Sequence, residues 1–290
     1  LAGPAPARPG TLIRTEAQPA ETSLADAGQA MRILYSSTNG LDGKTPVAVS
    51  GSLFLPKGEA PADGFPLIAW AHGTVGVADV CAPSNNARSE RDTKYLGHWL
   101  RQGYAVVASD YQGLGTPGGH PYLATRPAAY SVLDSIRAVQ ADPNLKLSKS
   151  VVLVGQSQGG GAAFATAGEA VTYAPELDIR GTVATGTPYF TNDTAPVVRD
   201  PNAVSGVFAY SLYIMYLAEQ ADPAFKIADY VTDKARPVID ITRTQCLMAA
   251  WNQIEKDGLN QTNAFVKDPT PALAKYYPLM AYSTLKVKGP

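Results

Sequence analysis

The chain has 290 residues, 45% of them hydrophobic, with 24 basic and 25 acidic residues and a formal charge of −1. This length is enough for one large domain or two small ones, and the hydrophobic content is enough for a full core. The balanced charge argues against the basic surface of a nucleic-acid-binding protein and against attraction to an anionic membrane. We therefore expect a globular protein with a neutral or apolar ligand and no nucleic-acid partner.

The N-terminal sequence indicates the compartment. The chain begins with Leu1 and continues in an arm rich in Ala, Pro and Gly over residues 1–10. Such a start is typical of a mature protein whose signal peptide has been removed, or of a trimmed chain. No stretch approaches the roughly 18 to 20 apolar residues that cross a bilayer. We expect a secreted or periplasmic protein without a transmembrane segment.

The periodicity of apolar residues predicts alternating strands and helices up to residue 188. Strands are predicted at 31–38, 46–55, 66–70, 104–109, 151–154 and 181–186, and helices at 88–102, 127–142 and 159–170. The first two strands flank the glycine-bearing turn 39–43, which indicates an antiparallel hairpin. Strands that alternate with helices indicate an α/β protein with a mostly parallel sheet and helices on both faces.

The pattern changes after this point. Residues 189–277 contain several predicted helices and little strand signal, and residues 208–217 are apolar on nearly every face, as in a helix buried on all sides. A helical insertion in the α/β sheet explains both features. We divide the chain into an N-terminal arm (1–30), an α/β core (31–188), a helical insertion (189–280) and the start of a return to the core sheet (281–290).

The two cysteines, Cys81 and Cys246, are far apart in the sequence. In an exported protein they predict one disulfide, and the alternative is two separate buried thiols. No Cys or His pair has the spacing of metal ligands, so we expect no metal site.

Five residues form a G-x-S-x-G motif, Gly155-Gln156-Ser157-Gln158-Gly159. The motif follows a predicted strand and precedes a helix of small residues. At such a junction the two glycines leave room for neighbouring backbone, and a tight, strained turn exposes the serine hydroxyl. Ser157 is therefore the candidate nucleophile. The alternative is a glycine-rich turn with an idle serine.

A second motif, Ala71-His72-Gly73-Thr74, follows the predicted strand 66–70. Backbone N–H groups at Gly73 and Thr74 and the N–H of Gln158 could together stabilise the oxyanion of a tetrahedral intermediate. Taken alone, a His-Gly pair after a strand is simply a strand-ending turn, but beside the serine motif the oxyanion interpretation is favoured.

Three segments, 70–75 (WAHGTV), 103–118 (GYAVVASDYQGLGTPG) and 154–160 (VGQSQGG), resemble the secretory lipase family, which includes fungal lipase A and bacterial esterases. The resemblance implies an α/β-hydrolase fold, a helical cap formed by the insertion, ester hydrolysis and no cofactor. It also implies a lipid or other neutral ester as substrate, and a pocket to which His72, Tyr111 and His120 are candidates to contribute.

A serine nucleophile needs a base, usually a histidine oriented by a carboxylate. In this fold the order along the chain is serine, acid, histidine, but His72, His98 and His120 all precede Ser157. We expect the acid and the histidine on a segment beyond residue 290, either in a longer chain or on a second chain cut from the same precursor. His120, in a loop of glycine and proline, is the alternative base.

Two other classes of function stay open. An acyltransferase or a peptidase would use the same serine motif. A non-enzymatic binding protein of this fold, or an inactive fragment, would explain the displaced histidines, although a binding role requires neither motif.

Overall fold

The computed structural model describes residues 3–193, 200–282 and 286–289. Seven strands within these ranges form one sheet: β1 (Leu12–Ala17), β2 (Ala27–Thr38), β3 (Pro46–Pro56), β4 (Phe65–Ala71), β5 (Ala105–Ser109), β6 (Leu147–Gln156) and β7 (Asp178–Thr185). The α-helices are α1 (Glu90–Arg101), α2 (Thr125–Gln140), α3 (Gln158–Tyr173), α4 (Phe208–Ala221), α5 (Arg236–Thr244), α6 (Leu247–Lys256), α7 (Gln261–Ala264), α8 (Thr270–Leu273) and α9 (Tyr277–Met280).

The sheet has an antiparallel half and a parallel half. Its strand order is β1-β2-β3-β5-β4-β6-β7, in which β5, β4, β6 and β7 run parallel. The predicted hairpin is confirmed, because β2 and β3 pair antiparallel from Met31 opposite Leu53 to Thr38 opposite Pro46. Strands β4 and β5 are apolar and almost entirely buried because helices cover both of their faces, whereas the edge strand β7 is mostly not buried.

Two hydrophobic layers hold the helices against the sheet. On one face, α2 and α3 pack over β2, β4, β5 and β6 through a cluster that includes Tyr35, Leu67 and Leu153, each fully buried. On the other face, Leu96 and Leu100 of α1 pack against Phe54 of β3. The expected sheet with helices on both faces is therefore present.

The helical segment, residues 208–280, has a hydrophobic cluster of its own. No residue from 208 to 217 in α4 is exposed, as the sequence predicts for a helix buried on all sides. Its cluster includes Leu212, Met215 and Ile254, and it meets the α/β layers at Val77 and Tyr122. None of the helices in the described parts of the chain has the length and apolarity that a bilayer crossing requires.

Both described ends of the chain contact the main fold. The sequence places residues 1–30 in an arm, but β1 lies within them and pairs antiparallel with β2. Its side chains are mostly exposed, so backbone hydrogen bonding rather than burial forms this edge strand. The expected return to the sheet at 281–290 falls partly outside the described residues. Of those described, Lys288 donates its N–H to the Ala167 carbonyl at 3.0 Å.

A disulfide joins Cys81 to Cys246, with their Cα atoms 5.4 Å apart and a sequence separation of 165. The predicted pairing is therefore present. Beside it, the Leu247 N–H donates to the Val75 carbonyl at 2.8 Å. The disulfide ties the start of α6 to the loop that follows β4, and so anchors the helical segment to the sheet.

We expect the double variant Cys81→Ala/Cys246→Ala to lose about 3 to 5 kcal/mol of unfolding free energy, because the unfolded chain gains the freedom of a long loop. Urea unfolding with and without a reductant measures this. The reductant should destabilise the native chain and leave the double variant unchanged. Equal stability of the oxidised and reduced native chain would contradict the expectation.

Candidate active site

The parallel strands bring the candidate residues to one edge of the sheet. Ala71 at the end of β4 pairs with Gly155 in β6 and with Ser109 in β5, and Gln156 pairs with Thr185 at the end of β7. Because the carboxyl ends of parallel strands share an edge, the loops that follow them converge there. This register places the His72 turn beside Ser157.

Ser157 lies between β6 and α3 with φ 58° and ψ −124°, a backbone conformation that non-glycine residues rarely adopt. Its N–H donates to the Thr185 carbonyl at 2.8 Å, and its carbonyl accepts from the Gly161 N–H at 3.1 Å. The side chain is half-buried, and its hydroxyl makes no hydrogen bond to the described residues. The turn therefore presents a serine hydroxyl that neighbouring groups do not occupy.

The two glycines of the motif make this turn possible. A Cβ atom on Gly155 would lie well under 3.0 Å from the Gly159 carbonyl, and one on Gly159 would lie as close to the Ala71 carbonyl. Real Cβ atoms essentially never approach backbone so closely. The strand, the turn and the helix therefore contact one another through bare backbone, as the sequence motif predicts.

The candidate oxyanion donors lie around the serine. A Cβ atom on Gly73 would lie 3.7 Å from the Ser157 Cβ, so the two backbones are neighbours. Gln158 is the first residue of α3, where N–H groups lack partners within a helix and the helix dipole favours negative charge. Within the described ranges, neither the Thr74 N–H nor the Gln158 N–H donates a hydrogen bond. Among the described residues, N–H groups without a partner thus lie on Gln158, next to Ser157 in the chain, and on Thr74, next to Gly73.

His72 and Tyr111, predicted as pocket residues, lie beneath the site. His72 is 3% exposed, and its Nδ1–H donates to the Gly73 carbonyl at 2.7 Å. Its ring stacks on Tyr111 at 4.2 Å, and the Tyr111 hydroxyl donates to the His72 carbonyl at 2.9 Å. Burial lowers the pKa of His72. The pair supports the turn that carries Gly73 and Thr74.

His120 is the histidine that hydrogen bonds to the serine motif. It is 2% exposed. Its Nδ1–H donates to the Gln112 carbonyl at 3.0 Å, so the neutral ring leaves Nε2 as an acceptor, which receives the Gln158 Nε2–H at 3.0 Å. Burial lowers the pKa of His120 to about 4. With both ring nitrogens occupied, His120 has no lone pair free for the Ser157 proton.

The third histidine is remote from this chemistry. His98 lies in α1 and is exposed. Its ring contacts Trp99 edge to face at 5.2 Å. All three histidines lie in the described ranges, and none of them hydrogen bonds to Ser157.

A narrow cleft adjoins the elbow, the turn formed by residues 155–159 between β6 and α3. Its lining is mostly apolar, with Phe190, Met280 and Tyr282 contributed from after β7. It reaches Gln158 of the serine motif and Gly161 of α3. Of the three predicted pocket residues it includes His120, and it includes neither His72 nor Tyr111. Ser157 itself lies beside the cleft rather than in its lining.

The donor set of the described residues does not suggest a metal centre. No three His, Cys, Asp or Glu side chains within 3–193, 200–282 and 286–289 lie close enough to hold an ion together. What the arrangement offers is a hydroxyl, unpaired N–H donors and an apolar cleft, a combination suited to acyl transfer.

Two site residues escape the sequence analysis. Tyr122 hydrogen bonds to Thr74 through their hydroxyls at 2.8 Å, and Gln112 holds His120. Both lie in the long loop between β5 and α2; Gln112 falls within the segment 103–118, but nothing in the sequence indicates its contact with His120, and no motif includes Tyr122. Their proximity to the serine depends on how this loop folds over the sheet edge.

Comparison with known proteins gives a family. A sequence profile of the secretory lipase family matches residues 80–269, more than half of the chain. The chain is 30% identical over 197 residues to Lipase A of Moesziomyces aphidis, covering 64% of this chain and 41% of that protein. It is 33% identical over 195 residues to a probable inactive lipase of Mycobacterium tuberculosis, covering 60% and 41%. The chain thus spans about two fifths of the length of these relatives.

Among solved structures, the fold is similar to a ligand-bound form of the rice cell wall degrading esterase LipA from Xanthomonas oryzae. The TM-score is 0.73 at 20% identity, with 98% of this chain and 82% of that chain covered. At this identity the likeness concerns the fold. Together with the mixed sheet flanked by helices, it confirms the α/β-hydrolase fold expected from the sequence.

We expect Gly159→Ala to destabilise the protein strongly, because its methyl group would collide with the Ala71 carbonyl, while Gly161→Ala in the same helix should be tolerated. At Gly161 the nearest atom is the hydroxyl at the tip of Tyr282, which can move, and alanine favours helix by about 1 kcal/mol over glycine. Thermal unfolding of both variants tests this. Equal effects would show that backbone contact at the elbow is unimportant.

The buried His120 predicts a pH dependence. The unfolded chain protonates this histidine below its ordinary pKa of 6.5, and the folded protein only below about 4. The unfolded state therefore binds more protons, and stability should fall by about 3 kcal/mol as the pH falls from 6.5 to 4. His120→Gln should flatten urea unfolding profiles in this window. The exposed His98→Gln should not, and a similar slope in all three proteins would refute the assignment.

Proposed function

This chain belongs to the secretory lipase family, and we propose that it carries the nucleophile of a secreted ester hydrolase, Ser157. The observation that carries the proposal is the elbow: a serine in a strained conformation, with φ 58°, at the N-terminus of α3. Its hydroxyl makes no hydrogen bond to any of the described residues. The family and its lipase relatives support ester hydrolysis, and the family's secretory character supports export.

The proposed reaction proceeds through an acyl-enzyme. Ser157 Oγ attacks the ester carbonyl carbon while its proton passes to a base, and the carbonyl electron pair moves to the oxygen. The N–H groups of Thr74 and Gln158 stabilise that oxyanion. Collapse expels the alcohol, which takes up the proton, and water then attacks the acyl-enzyme by the same route to release the acid. Ser157 is regenerated with its proton.

The base must come from elsewhere than the three histidines. His120 is held at both ring nitrogens, His72 is buried beneath the turn, and His98 is exposed on α1. We assign the catalytic histidine and acid to a polypeptide segment outside these 290 residues, in a longer chain or on a second chain from the same precursor.

The edge of the sheet supports this assignment. β7 pairs with β6 on one side, and on its other side the described residues add no strand. Val183 on this strand is 45% exposed, and the Thr185 carbonyl at its end accepts from the Ser157 N–H. A strand added to β7 would deliver the residues that follow it to the neighbourhood of Ser157. That is where a catalytic histidine is needed.

The substrate class follows from the surroundings of the serine. The cleft is mostly apolar, and the chain is nearly neutral overall. Neutral acyl esters of short to medium chain length fit this environment, in line with the lipase relatives. A peptidase or an acyltransferase could use the same elbow, and an activity panel separates these classes.

The second candidate function is a non-enzymatic hydrolase-fold protein. The observation that favours it is the absence of a histidine–serine hydrogen bond among the described residues, together with a relative that is named a probable inactive lipase. The elbow and the two unpaired N–H donors argue for the enzyme, since a binding role requires neither.

The test is intact-mass spectrometry of the native preparation after exposure to a fluorophosphonate, followed by peptide mapping. We expect one adduct on Ser157, no adduct in Ser157→Ala, and a second polypeptide or a longer chain in the active material. An unmodified Ser157 in a folded preparation that holds every copurifying chain would overturn the hydrolase and support the binding protein.

A further inference from the structure

Besides its backbone N–H, Thr74 has a side-chain hydroxyl that hydrogen bonds to Tyr122. Its Oγ1 lies 2.8 Å from the Tyr122 hydroxyl. Thr74 is half-buried, and it follows Gly73, whose backbone neighbours Ser157. Tyr122 is 3% exposed and lies between His120, 6.3 Å away by ring centroids, and Tyr213, at 5.3 Å. The Thr74 hydroxyl is therefore held by a buried tyrosine, one residue along the chain from the Gly73 backbone that neighbours Ser157.

The direction of this hydrogen bond follows from counting donors and acceptors. A tyrosine hydroxyl buried in protein needs an acceptor for its proton. Within the described residues, the acceptor that Tyr122 has is Thr74 Oγ1. Burial raises the pKa of Tyr122 far above its ordinary value, so the proton stays on the phenol. Tyr122 therefore donates, and Thr74 accepts.

The consequence concerns the proton of Thr74. A threonine hydroxyl has one proton to donate as well as two lone pairs. With a lone pair engaged by Tyr122, the Thr74 O–H is left without an acceptor among the described residues. It lies on the residue whose backbone N–H is already a candidate oxyanion donor. The hydroxyl and the backbone N–H of Thr74 could thus both donate to the oxyanion oxygen.

We propose that the Thr74 hydroxyl is a third oxyanion donor, and that Tyr122 is the positioning residue that orients it. This rests on the proposed hydrolase function of Ser157. As the tetrahedral intermediate forms, the Thr74 O–H donates to the developing oxyanion, and Tyr122 O–H donates to Thr74. Hydrogen bonds to a charged oxygen are about twice as strong as neutral ones, and linked donors polarise one another. No proton is transferred along these two hydrogen bonds, from Tyr122 to Thr74 and from Thr74 to the oxyanion.

The chain offers a matched control. Tyr213 in α4 is fully buried, and its hydroxyl has no hydrogen-bond partner in the described part of the chain. Its ring packs edge to face on Tyr122. Tyr213→Phe thus removes a buried phenol oxygen next to the site, as Tyr122→Phe does, without removing a hydrogen bond to Thr74. Packing effects should be similar in the two variants.

The test uses the active preparation, with every copurifying chain, and measures kcat and KM for p-nitrophenyl butyrate and the rate of phosphonylation by a fluorophosphonate. Thr74→Val should lower kcat about 10²-fold, as the loss of one oxyanion donor does, with KM nearly unchanged. Thr74→Ser should restore most of the rate. Tyr122→Phe should lower kcat roughly tenfold, because orientation rather than the donor is lost. Tyr213→Phe should match the native enzyme.

The outcomes separate the two proposals. A native preparation that is not phosphonylated overturns the hydrolase function and, with it, the third donor. A reactive native enzyme whose Thr74→Val form, folded by circular dichroism, keeps the native kcat overturns the third donor alone. If Tyr213→Phe loses as much kcat as Tyr122→Phe, Tyr122 acts through packing and its positioning role is wrong.

Discussion

The contact of three backbone segments at the elbow is the constraint on which the site depends. β4 ends against the first turn of α3, and β6 enters the turn under the same helix, with glycines at both contacts. Because no side chain separates the segments, Ser157 is held in a conformation that costs of order 1 to 3 kcal/mol. The parallel register of the sheet supplies the support. Strand pairing, not the serine itself, maintains the strain.

This arrangement determines the electrostatics around the serine. The nearest ionisable rings are buried, so His72 and His120 are held neutral, and the candidate donors are N–H and O–H groups rather than charges. Fixed dipoles stabilise developing negative charge without having to reorganise. The same burial deprives His120 of a role as base, because its Nε2 accepts from Gln158.

The helical segment belongs to the site through its connections. The disulfide and the Leu247–Val75 hydrogen bond join it to the loop that follows β4, the loop that also carries Thr74. Its own cluster reaches Tyr122 through Tyr213. The residues that orient Thr74 are therefore packed from both layers. This coupling explains why a buried tyrosine, unmarked in the sequence, contacts the candidate oxyanion donor.

The sequence by itself determined strands β2 to β7, their order along the chain with helices α1 to α3, and the G-x-S-x-G elbow, because these depend on local periodicity and on glycine at defined positions. It did not predict β1, whose exposed side chains carry little apolar signal and whose formation depends on pairing with β2. Only the tertiary structure decided that both ring nitrogens of His120 are hydrogen-bonded and that Tyr122 contacts Thr74, because these contacts join residues that are distant in the sequence. Hydrogen bonds across a fold leave no periodic trace in the chain.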